Sequence, residues 1–451
     1  MISKELLDLA AELSFNYLNT LDSRGVFPTD AAIRALPKLG GPLPESPSDP
    51  SEVLRLMHEA GSPATVAMAG RRYFGFVIGG SLPAALAANW LATAWDQNPG
   101  LYVASPAVSV IEEVARDWLL DILGLPPAAE IGFVTGATMA NFTCLAAARH
   151  ALLERAGWDV EAHGLFNAPP ITFVTGQEVH ASVLKALSLL GLGRERIVRV
   201  PVDDQGRIDP DQLPMLDAMT ILCIQAGNVN TGAFDPAPEL CRIAHDAGAW
   251  VHVDGAFGIW LSAVPSRRQH TAGFADADSW SLDAHKWLNV PYDSGIAAVR
   301  EPRHLRAAMS TSASYLIESD HRDPYMYTPE MSRRARAVDI WAALRSLGRS
   351  GVADLVDRNC RQAERFAAGL RRAGFEVLND VVANQVLVTF GDAESTLAAI
   401  AAIQREGTLW AGQTVYRGRT ALRISVSSWA TTDDDIDRSL EAILRVARRV
   451  E

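Results

Sequence analysis

Six short apolar runs, most of them separated by helical patterns, constrain the fold of this chain more than any other feature. The runs lie at 131–135, 171–175, 220–224, 250–254, 279–282 and 295–299. Helical patterns at 139–155, 182–190 and 236–247 follow the first three runs. Apolar strands that alternate with helices are covered on both faces, which predicts an α/β domain with a largely parallel sheet. Ligands of such sheets bind beyond the carboxyl ends of the strands.

The chain of 451 residues is too long for one compact core, since single cores stop growing at roughly 250–300 residues. We expect three parts: a helical segment at 1–70, the α/β domain at 71–332, and an α+β domain at 333–451 that begins with a basic helix start. The helix predicted at 1–20 is followed by a loop rich in Pro and Ser, so it cannot bury its apolar face alone. It packs on a second subunit or, alternatively, on its own domain.

Composition excludes several classes of protein. The formal net charge of −12 disfavours nucleic acid as a partner, because phosphate binding needs a basic face. The four cysteines are scattered and form no CxxC pair, which indicates free thiols in a reducing compartment. The N-terminus lacks the basic start of a signal peptide, and the most apolar window, 81–95, is too short and mixed to span a bilayer. These features predict a cytoplasmic protein that does not bind membranes.

Lys286 stands in an unusually apolar window for a lysine. Its apolar neighbours are Trp280, Leu282, Ala284, Trp287 and Leu288. Lysine is seldom fully buried, and one in this position can form an imine with an aldehyde cofactor. Alternatively, it is a surface lysine whose stem lies on apolar neighbours.

Asp254 ends an apolar strand, where a carboxylate is unfavourable unless it is paired. In a site for pyridoxal 5′-phosphate (PLP), such an aspartate keeps the ring nitrogen protonated, which makes the ring an electron sink. The small residues Gly255 and Ala256 leave room for a flat ring. Alternatively, Asp254 caps a helix, or binds metal with His252. Because no third ligand stands at a useful spacing, we predict no metal site.

Two further segments follow predicted strands. The turn at 134–141, Val-Thr-Gly-Ala-Thr-Met-Ala-Asn, offers small residues whose N–H groups can surround a phosphate at a helix N-terminus. It matches neither a Walker loop nor a dinucleotide fingerprint, which weighs against a nucleotide-binding protein. His180 could stack on a cofactor ring or transfer protons, or could simply cap a helix.

Together and in this order, these segments resemble the group II PLP-dependent amino-acid decarboxylases, the family of aromatic amino-acid, histidine and glutamate decarboxylases. The Ala-Ser-Pro-Ala run at 104–107 and the Arg-Arg-x-Arg run at 333–336 also match. The resemblance covers roughly residues 60–350. It implies a PLP-dependent fold of type I in the large domain, a homodimer with shared active sites, and decarboxylation of an L-amino acid through an external aldimine.

The matching positions take their implied roles from the family. Lys286 corresponds to the Schiff-base lysine and Asp254 to the partner of the ring nitrogen, while His180 and Ala256 lie on the two ring faces. The phosphate-binding positions are Gly136, Ala137, Thr138 and His285.

Two positions depart from the family pattern. Asn228 lies in the segment that approaches the lysine side of the ring, where the family often has a Gly-Thr-Thr run. Asp283 replaces an asparagine that is common in relatives. Because a carboxylate would repel the cofactor phosphate, we expect Asp283 to point away or to pair with a cation.

In relatives, a mobile loop carries a tyrosine implicated in protonation of the product. The corresponding stretch here is 315–332, with Tyr325 and Tyr327 as candidates; alternatively, it is a surface loop whose tyrosines pack. The family's substrate pocket corresponds to Phe76, Tyr102 and Pro106, and Arg423 could meet a substrate carboxylate or be structural.

The sequence is also compatible with other activities. On the same fold, a PLP enzyme could be an aldehyde synthase, a C–C lyase or an aminotransferase. A more distant alternative is a non-catalytic protein that binds PLP.

Overall fold

The computed structural model describes residues 3–311 and 320–449. Its α-helices are α1 (Lys4–Thr20), α2 (Asp30–Ala35), α3 (Pro50–Leu56), α4 (Pro83–Trp95), α5 (Pro106–Leu123), α6 (Ala137–Arg155), α7 (Val160–His163), α8 (Ala181–Leu189), α9 (Ala237–Asp246), α10 (Pro302–Met309), α11 (Ala337–Arg372), α12 (Ala393–Glu406) and α13 (Asp433–Ala447). Its strands are β1 (Glu130–Val134), β2 (Thr172–Gly176), β3 (Val198–Val200), β4 (Thr220–Gln225), β5 (Trp250–Asp254), β6 (Ser279–Asp283), β7 (Gly295–Val299), β8 (Glu376–Val377), β9 (Gln385–Thr389), β10 (Gly412–Tyr416) and β11 (Arg419–Ser425).

Short helices of other types connect these elements. Turns of 3-10 helix lie at Leu36–Leu39, Ser62–Ala64, Tyr102–Ala104, Pro210–Gln212, Gly258–Ala263, Pro265–Thr271, Phe274–Asp276 and Pro324–Tyr327, and a π-helical turn lies at Met57–Gly61. The 3-10 turn at Leu36–Leu39 lies inside the Pro- and Ser-rich segment that we predicted as a loop. None of the described helices is long and apolar enough to cross a membrane.

The six apolar runs form strands of one seven-stranded sheet, in the order β1-β7-β6-β5-β4-β2-β3. Strand β7 is antiparallel to both neighbours, and the other described pairs are parallel, which confirms the predicted α/β class. Helices α6, α8 and α9 confirm the three helical patterns. The short strand β3 was not predicted. The carboxyl ends of β1, β2, β4, β5 and β6 therefore share one edge.

Five of the seven strands of the large sheet are completely buried. Every residue of β1, β4, β5, β6 and β7 is buried, and α6 packs against β6 and β7 with a face rich in alanine. Trp260, Trp280 and Trp287 are among the largest fully buried side chains. All four cysteines are buried free thiols, as predicted.

The chain divides into two compact units. One contains residues 1–78, 365–378 and 387–451, and the other contains residues 79–364 and 379–386. The predicted boundaries differ from this division, because residues 1–78 cluster with the C-terminal part and residues 333–364 cluster with the large sheet. The predicted helix start at 333 is wrong: α11 begins at Ala337, and it is interrupted at Gly348, where φ is +61°.

In the first unit, the N-terminal segment is attached to the sheet β10-β11-β9-β8. The Phe74 N–H donates to the Trp410 carbonyl at 2.8 Å, and the rings of Tyr73 and Trp410 stack with centroids 5.1 Å apart. A buried ion pair joins Arg72 to Asp435 at 3.2 Å. Residues that are distant in sequence thus form one core.

In the second unit, a buried carboxylate binds two arginines. Glu112 on α5 is fully buried, and its carboxylate oxygens lie 2.7 Å from Arg333 Nη2 and 3.0 Å from Arg322 Nη1. Arg322 also donates to the Ile131 carbonyl of β1 at 2.6 Å. Removal of one member of a buried ion pair leaves a charge uncompensated.

We therefore expect Glu112→Gln to lower the free energy of unfolding by roughly 3–5 kcal/mol. Chemical denaturation followed by tryptophan fluorescence measures the effect. Glu113→Gln makes the same change at the next, partly exposed position of α5, and should have little effect. Equal midpoints for Glu112→Gln and the wild type would contradict the importance of the buried pair.

Candidate active site

The predicted cofactor-binding residues lie in the second unit, just beyond the shared edge of the large sheet. Gly136–Thr138 follow β1, His180 follows β2, Asn228 follows β4, Asp254 and Ala256 stand at the end of β5, and His285 and Lys286 follow β6. Parallel strands deliver their following loops to the same side of a sheet, which is why segments separated by up to 150 residues meet here.

Lys286 is paired with Asp283, the last residue of β6. Its Nζ lies 3.0 Å from Asp283 Oδ2, and its side chain is 18% exposed. The other carboxylate oxygen, Oδ1, accepts a hydrogen bond from the Ala137 N–H at 2.5 Å. The expectation that Asp283 pairs with a cation is therefore met within the chain itself. The same carboxylate connects the lysine segment to the first turn of α6.

His285 lies in a fixed orientation against the turn at 134–141, which we call the phosphate turn. Its Nδ1 accepts from the Ser294 N–H at 3.0 Å, so the proton of the neutral ring is on Nε2, which faces Asp283 Oδ1 at 3.4 Å. The ring stacks on Tyr292 with centroids 4.2 Å apart, a contact that the sequence did not predict. Burial lowers the pKa of His285, so the ring is neutral at pH 7.

Backbone hydrogen bonds connect the Asp254 segment to both neighbouring segments. The Asp283 N–H donates to the Ala256 carbonyl at 3.0 Å, and the Ala226 N–H donates to the Asp254 carbonyl at 2.9 Å. The Asp254 side chain is 5% exposed, and its Oδ1 accepts from the Ala256 N–H at 3.3 Å. The backbone of this strand end is therefore fixed between its neighbours, and the carboxylate is buried there.

Asn228 organises the loop that follows β4. Its Oδ1 accepts from the N–H groups of Asn230 at 2.9 Å and Thr231 at 3.2 Å. The Thr231 hydroxyl donates to the Gln205 carbonyl at 2.6 Å. Asn228, whose segment departs from the family pattern, thus contributes to the structure of this loop.

A buried polar network connects His180 to the centre of the sheet. His180 Nδ1 accepts from the Ser182 hydroxyl at 2.7 Å, and Asn141 Nδ2 donates to Ser182 Oγ at 3.2 Å. Asn141 Oδ1 then accepts from His252 Nε2 and from the Ser281 hydroxyl, each at 2.7 Å. The sequence showed Asn141 at the end of the phosphate turn but did not reveal this role. The available signal was a polar residue in the apolar N-terminal half of α6.

The burial of His252 predicts how the stability of the folded protein depends on pH. Burial lowers its pKa to about 3, and its Nδ1 accepts from the Ser279 hydroxyl. The unfolded chain binds a proton at His252 below about pH 6.5, whereas the folded protein does not until about pH 3. Stability therefore falls as the pH decreases through this window, by about 1.4 kcal/mol per pH unit from this residue.

We expect His252→Asn to be less sensitive to acid than the wild type, although less stable at neutral pH because hydrogen bonds are lost. Denaturation midpoints at about pH 7 and about pH 5 measure the difference. His163→Asn, a change at an exposed position, serves as the control. Identical acid shifts in His252→Asn and the wild type would refute the neutral, buried state of His252.

The predicted loop tyrosines lie in the 3-10 turn Pro324–Tyr327. Tyr325 is buried, and its N–H donates to the Gly100 carbonyl at 3.0 Å. The Tyr327 carbonyl lies against Gly132, in the middle of β1, where an added Cβ would come within 2.0 Å of it. Residues 315–319 of the predicted loop lie outside the described residues. The catalytic role of either tyrosine stays a prediction.

The predicted substrate residues fall in both units. Tyr102 stacks on His321 with centroids 3.8 Å apart, and Pro106 is exposed at the start of α5. In the other unit, Arg423 Cζ lies 5.9 Å from the centroid of the exposed Phe76 ring. The structure thus brings Arg423 close to Phe76, and the contact of all four residues with substrate stays a prediction.

Comparison with known proteins identifies the family. The model of the pyridoxal-dependent decarboxylase conserved domain matches residues 63–392. The chain belongs to the pyridoxal-dependent decarboxylase family. It is a PLP-dependent carboxy-lyase, and PLP is its cofactor.

The relatives of this decarboxylase include enzymes of more than one activity. Aromatic-L-amino-acid decarboxylase of Bacillus atrophaeus is 29% identical over 423 residues, which cover 91% of this chain and 85% of the relative. Phenylacetaldehyde synthase of a Rosa hybrid cultivar is 26% identical over 432 residues, covering 87% and 83%. The crystal structure of Oryza sativa TDC with PLP and tryptamine has a TM-score of 0.90 at 23% identity, covering 99% and 97%. This last likeness shows the fold, which is type I.

The residues beyond the shared edge of the large sheet fit PLP. A Cβ on Gly136 would come within 3.0 Å of His285 Cε1 and 3.2 Å of Asp283 Oδ1, so glycine keeps the phosphate turn open. Asn228 Nδ2 and Gln225 Nε2 are buried and have no hydrogen-bond partner among the described residues. Unsatisfied buried donors are rare in native proteins, and they are consistent with a polar group that binds here.

Proposed function

We propose that the protein decarboxylates an L-amino acid to the corresponding amine and CO₂, with PLP bound to Lys286. The observation that carries this proposal is the arrangement at one sheet edge of Lys286, the buried Asp254 and the turn at Gly136. The relatives support decarboxylation as a class, and the amino acid is left to experiment.

PLP, when bound, supplies an electron sink for the pair released from the Cα–carboxylate bond. The protein's contribution is to bind, orient and move protons. Asp254, which is 5% exposed, would hold the proton on the ring nitrogen. N–H groups in the first turn of α6 would donate to the phosphate, as helix N-termini do for anions.

Asp283 would interact both with Lys286 and with the phosphate turn. Its carboxylate lies 3.0 Å from the Lys286 Nζ in this arrangement, and it also accepts from the Ala137 N–H of the phosphate turn. Binding of the phosphate would compete with this carboxylate for the same N–H. His180, oriented through Ser182, would present its Nε2–H side for ring stacking or proton transfer.

The active form would be a homodimer. Large apolar side chains are exposed on α1, where Leu7 is 59% and Phe15 is 60% exposed, and also on α4, where Leu91 is 56% exposed. Exposed apolar side chains of this extent are typical of surfaces that a partner covers. Sedimentation velocity tests this proposal, and a monomer at micromolar concentration would contradict it.

A panel of L-amino acids tests the function. The holoenzyme is incubated with each, and CO₂, amine, aldehyde and hydrogen peroxide are measured, with D-amino acids as controls. Decarboxylation predicts equal amounts of CO₂ and amine from at least one amino acid. CO₂ with aldehyde and peroxide would instead identify an aldehyde synthase, and no CO₂ from any amino acid would refute decarboxylation.

A further inference from the structure

A second group of chemically reactive side chains lies far from the active site, at the C-terminal end of α6. His150 and Glu154 stand four residues apart on one face of this helix, and His304 of α10 faces them. One ligand atom from each of the three residues lies within 4.8 Å of the other two. Since α6 begins at the phosphate turn and rises 1.5 Å per residue, this group is about 20 Å from the PLP site.

The polar atoms of this group converge without satisfying one another. Glu154 Oε1 lies 3.8 Å from His150 Nε2, and Glu154 Oε2 lies 3.7 Å from His304 Nδ1. Both separations are too long for hydrogen bonds. His304 is 95% buried, and its Nδ1 has no hydrogen-bond partner within residues 3–311 and 320–449. A buried nitrogen that faces a carboxylate without bonding to it requires an explanation.

A carboxylate, that of Glu161, binds the side of the His150 ring that faces away from the proposed metal, as is usual for metal-binding histidines. His150 Nδ1 lies 2.7 Å from Glu161 Oε2, so the ring donates its Nδ1–H to that carboxylate and directs the lone pair of Nε2 toward Glu154. A carboxylate behind the ring fixes the tautomer and raises the basicity of the ligating nitrogen. His150, Glu154 and Glu161 also border a surface depression of about 430 Å³, which gives an ion access from solvent.

We propose that His150 Nε2, a Glu154 carboxylate oxygen and His304 Nδ1 bind one Zn²⁺ ion, with solvent in the fourth position. Two imidazoles and a carboxylate are a ligand set that zinc takes, at bond lengths of about 2.0–2.2 Å. Ligand atoms around tetrahedral zinc are about 3.3 Å apart. The separations of 3.7 and 3.8 Å involve different oxygens of Glu154, and one ligand atom from each residue lies within 4.8 Å of the other two. Binding to one ion therefore requires side-chain rotations that shorten the separations between ligand atoms by up to about 1.5 Å.

Arginines around the group oppose binding only weakly. Arg303 Nη1 lies 2.8 Å from Glu154 Oε2, but both side chains are about half exposed, and exposed ion pairs of this kind contribute little. Arg149 Nη2 lies 3.9 Å from Glu161 Oε1, so it contacts the outer carboxylate and not Glu154. A metal would join the end of α6 to α10, two helices that pack together, and would thereby stabilise the second unit.

Zinc titration of the holoenzyme tests the proposal. Protein treated with a chelator and then dialysed is titrated with Zn²⁺ in competition with a chromophoric chelator, and the melting temperature is measured in parallel. We expect one Zn²⁺ per chain and a higher melting temperature with zinc. His304→Ala and Glu154→Ala should each weaken binding at least about 100-fold, since loss of an outer partner alone weakens it 10–100-fold.

His245→Ala is the matched control, because His245 Nε2 lies 3.1 Å from Asp278 Oδ2 without a second imidazole in the group. It should leave zinc affinity unchanged. Glu154 is exposed, so its variant remains informative if His304→Ala fails to fold, and Schiff-base absorbance reports the fold of each variant. Absence of stoichiometric binding, or equal affinity in the wild type and Glu154→Ala, would overturn the proposal.

Discussion

Replacement of Lys286 by alanine is expected to abolish the Schiff-base absorbance of the purified enzyme and to lower kcat/KM by at least about 10³-fold, equivalent to roughly 4 kcal/mol of transition-state stabilisation. The physical reason is that Lys286 is the amine at the sheet edge that can bond covalently to the aldehyde of PLP. Absorbance spectra with added PLP and assays of CO₂ release measure the two effects.

Lys185→Ala provides the control for this experiment. Lys185 lies on α8 in the same unit, and it is exposed. Its replacement should leave both the absorbance and the activity unchanged. Unaltered absorbance and turnover in Lys286→Ala would show that the cofactor is bound elsewhere.

Asp254→Asn is expected to lower kcat by about 10²–10⁴-fold while the protein still binds PLP. Asparagine has nearly the same shape, but it carries no charge to keep the ring nitrogen protonated, so the electron sink is weakened. Turnover of the preferred amino acid and retained absorbance are measured on the same sample. The backbone hydrogen bonds around residue 254 should survive this change, so a structural effect is separable by its melting temperature.

Asp246→Asn is the matched control. Asp246 ends α9 and is 72% exposed in its side chain, where it pairs with Arg242 at 3.3 Å. Near-normal turnover in Asp254→Asn would refute the role of the buried carboxylate.

The positions of the site residues could be predicted because they depend on strand order along the chain. An apolar run such as 250–254 predicts a buried strand, and a polar residue at its end is delivered to the sheet edge by the parallel topology. The six strands and the segments after them therefore followed from local patterns. The antiparallel direction of β7 did not, because a short apolar run has no signal for its direction.

The contacts that connect the segments could not be predicted, because they depend on distances between remote side chains. The pairing of Asp283 with the neighbouring Lys286 was one of two open outcomes, and the structure is needed to choose between them. The burial of Glu112 between Arg322 and Arg333 joins residues more than 200 positions apart. Likewise, no local pattern indicates that residues 1–78 cluster with the C-terminal part of the chain.

The most direct measurement identifies the lysine that carries the cofactor. The holoenzyme is reduced with borohydride and digested, and the peptides are analysed by mass spectrometry. The chain contains four lysines, Lys4, Lys38, Lys185 and Lys286, so each can be examined separately. We predict a pyridoxyl group on the peptide that contains Lys286 and on no other. Labelling of another lysine, or of none in a protein that shows Schiff-base absorbance, would contradict the proposed site.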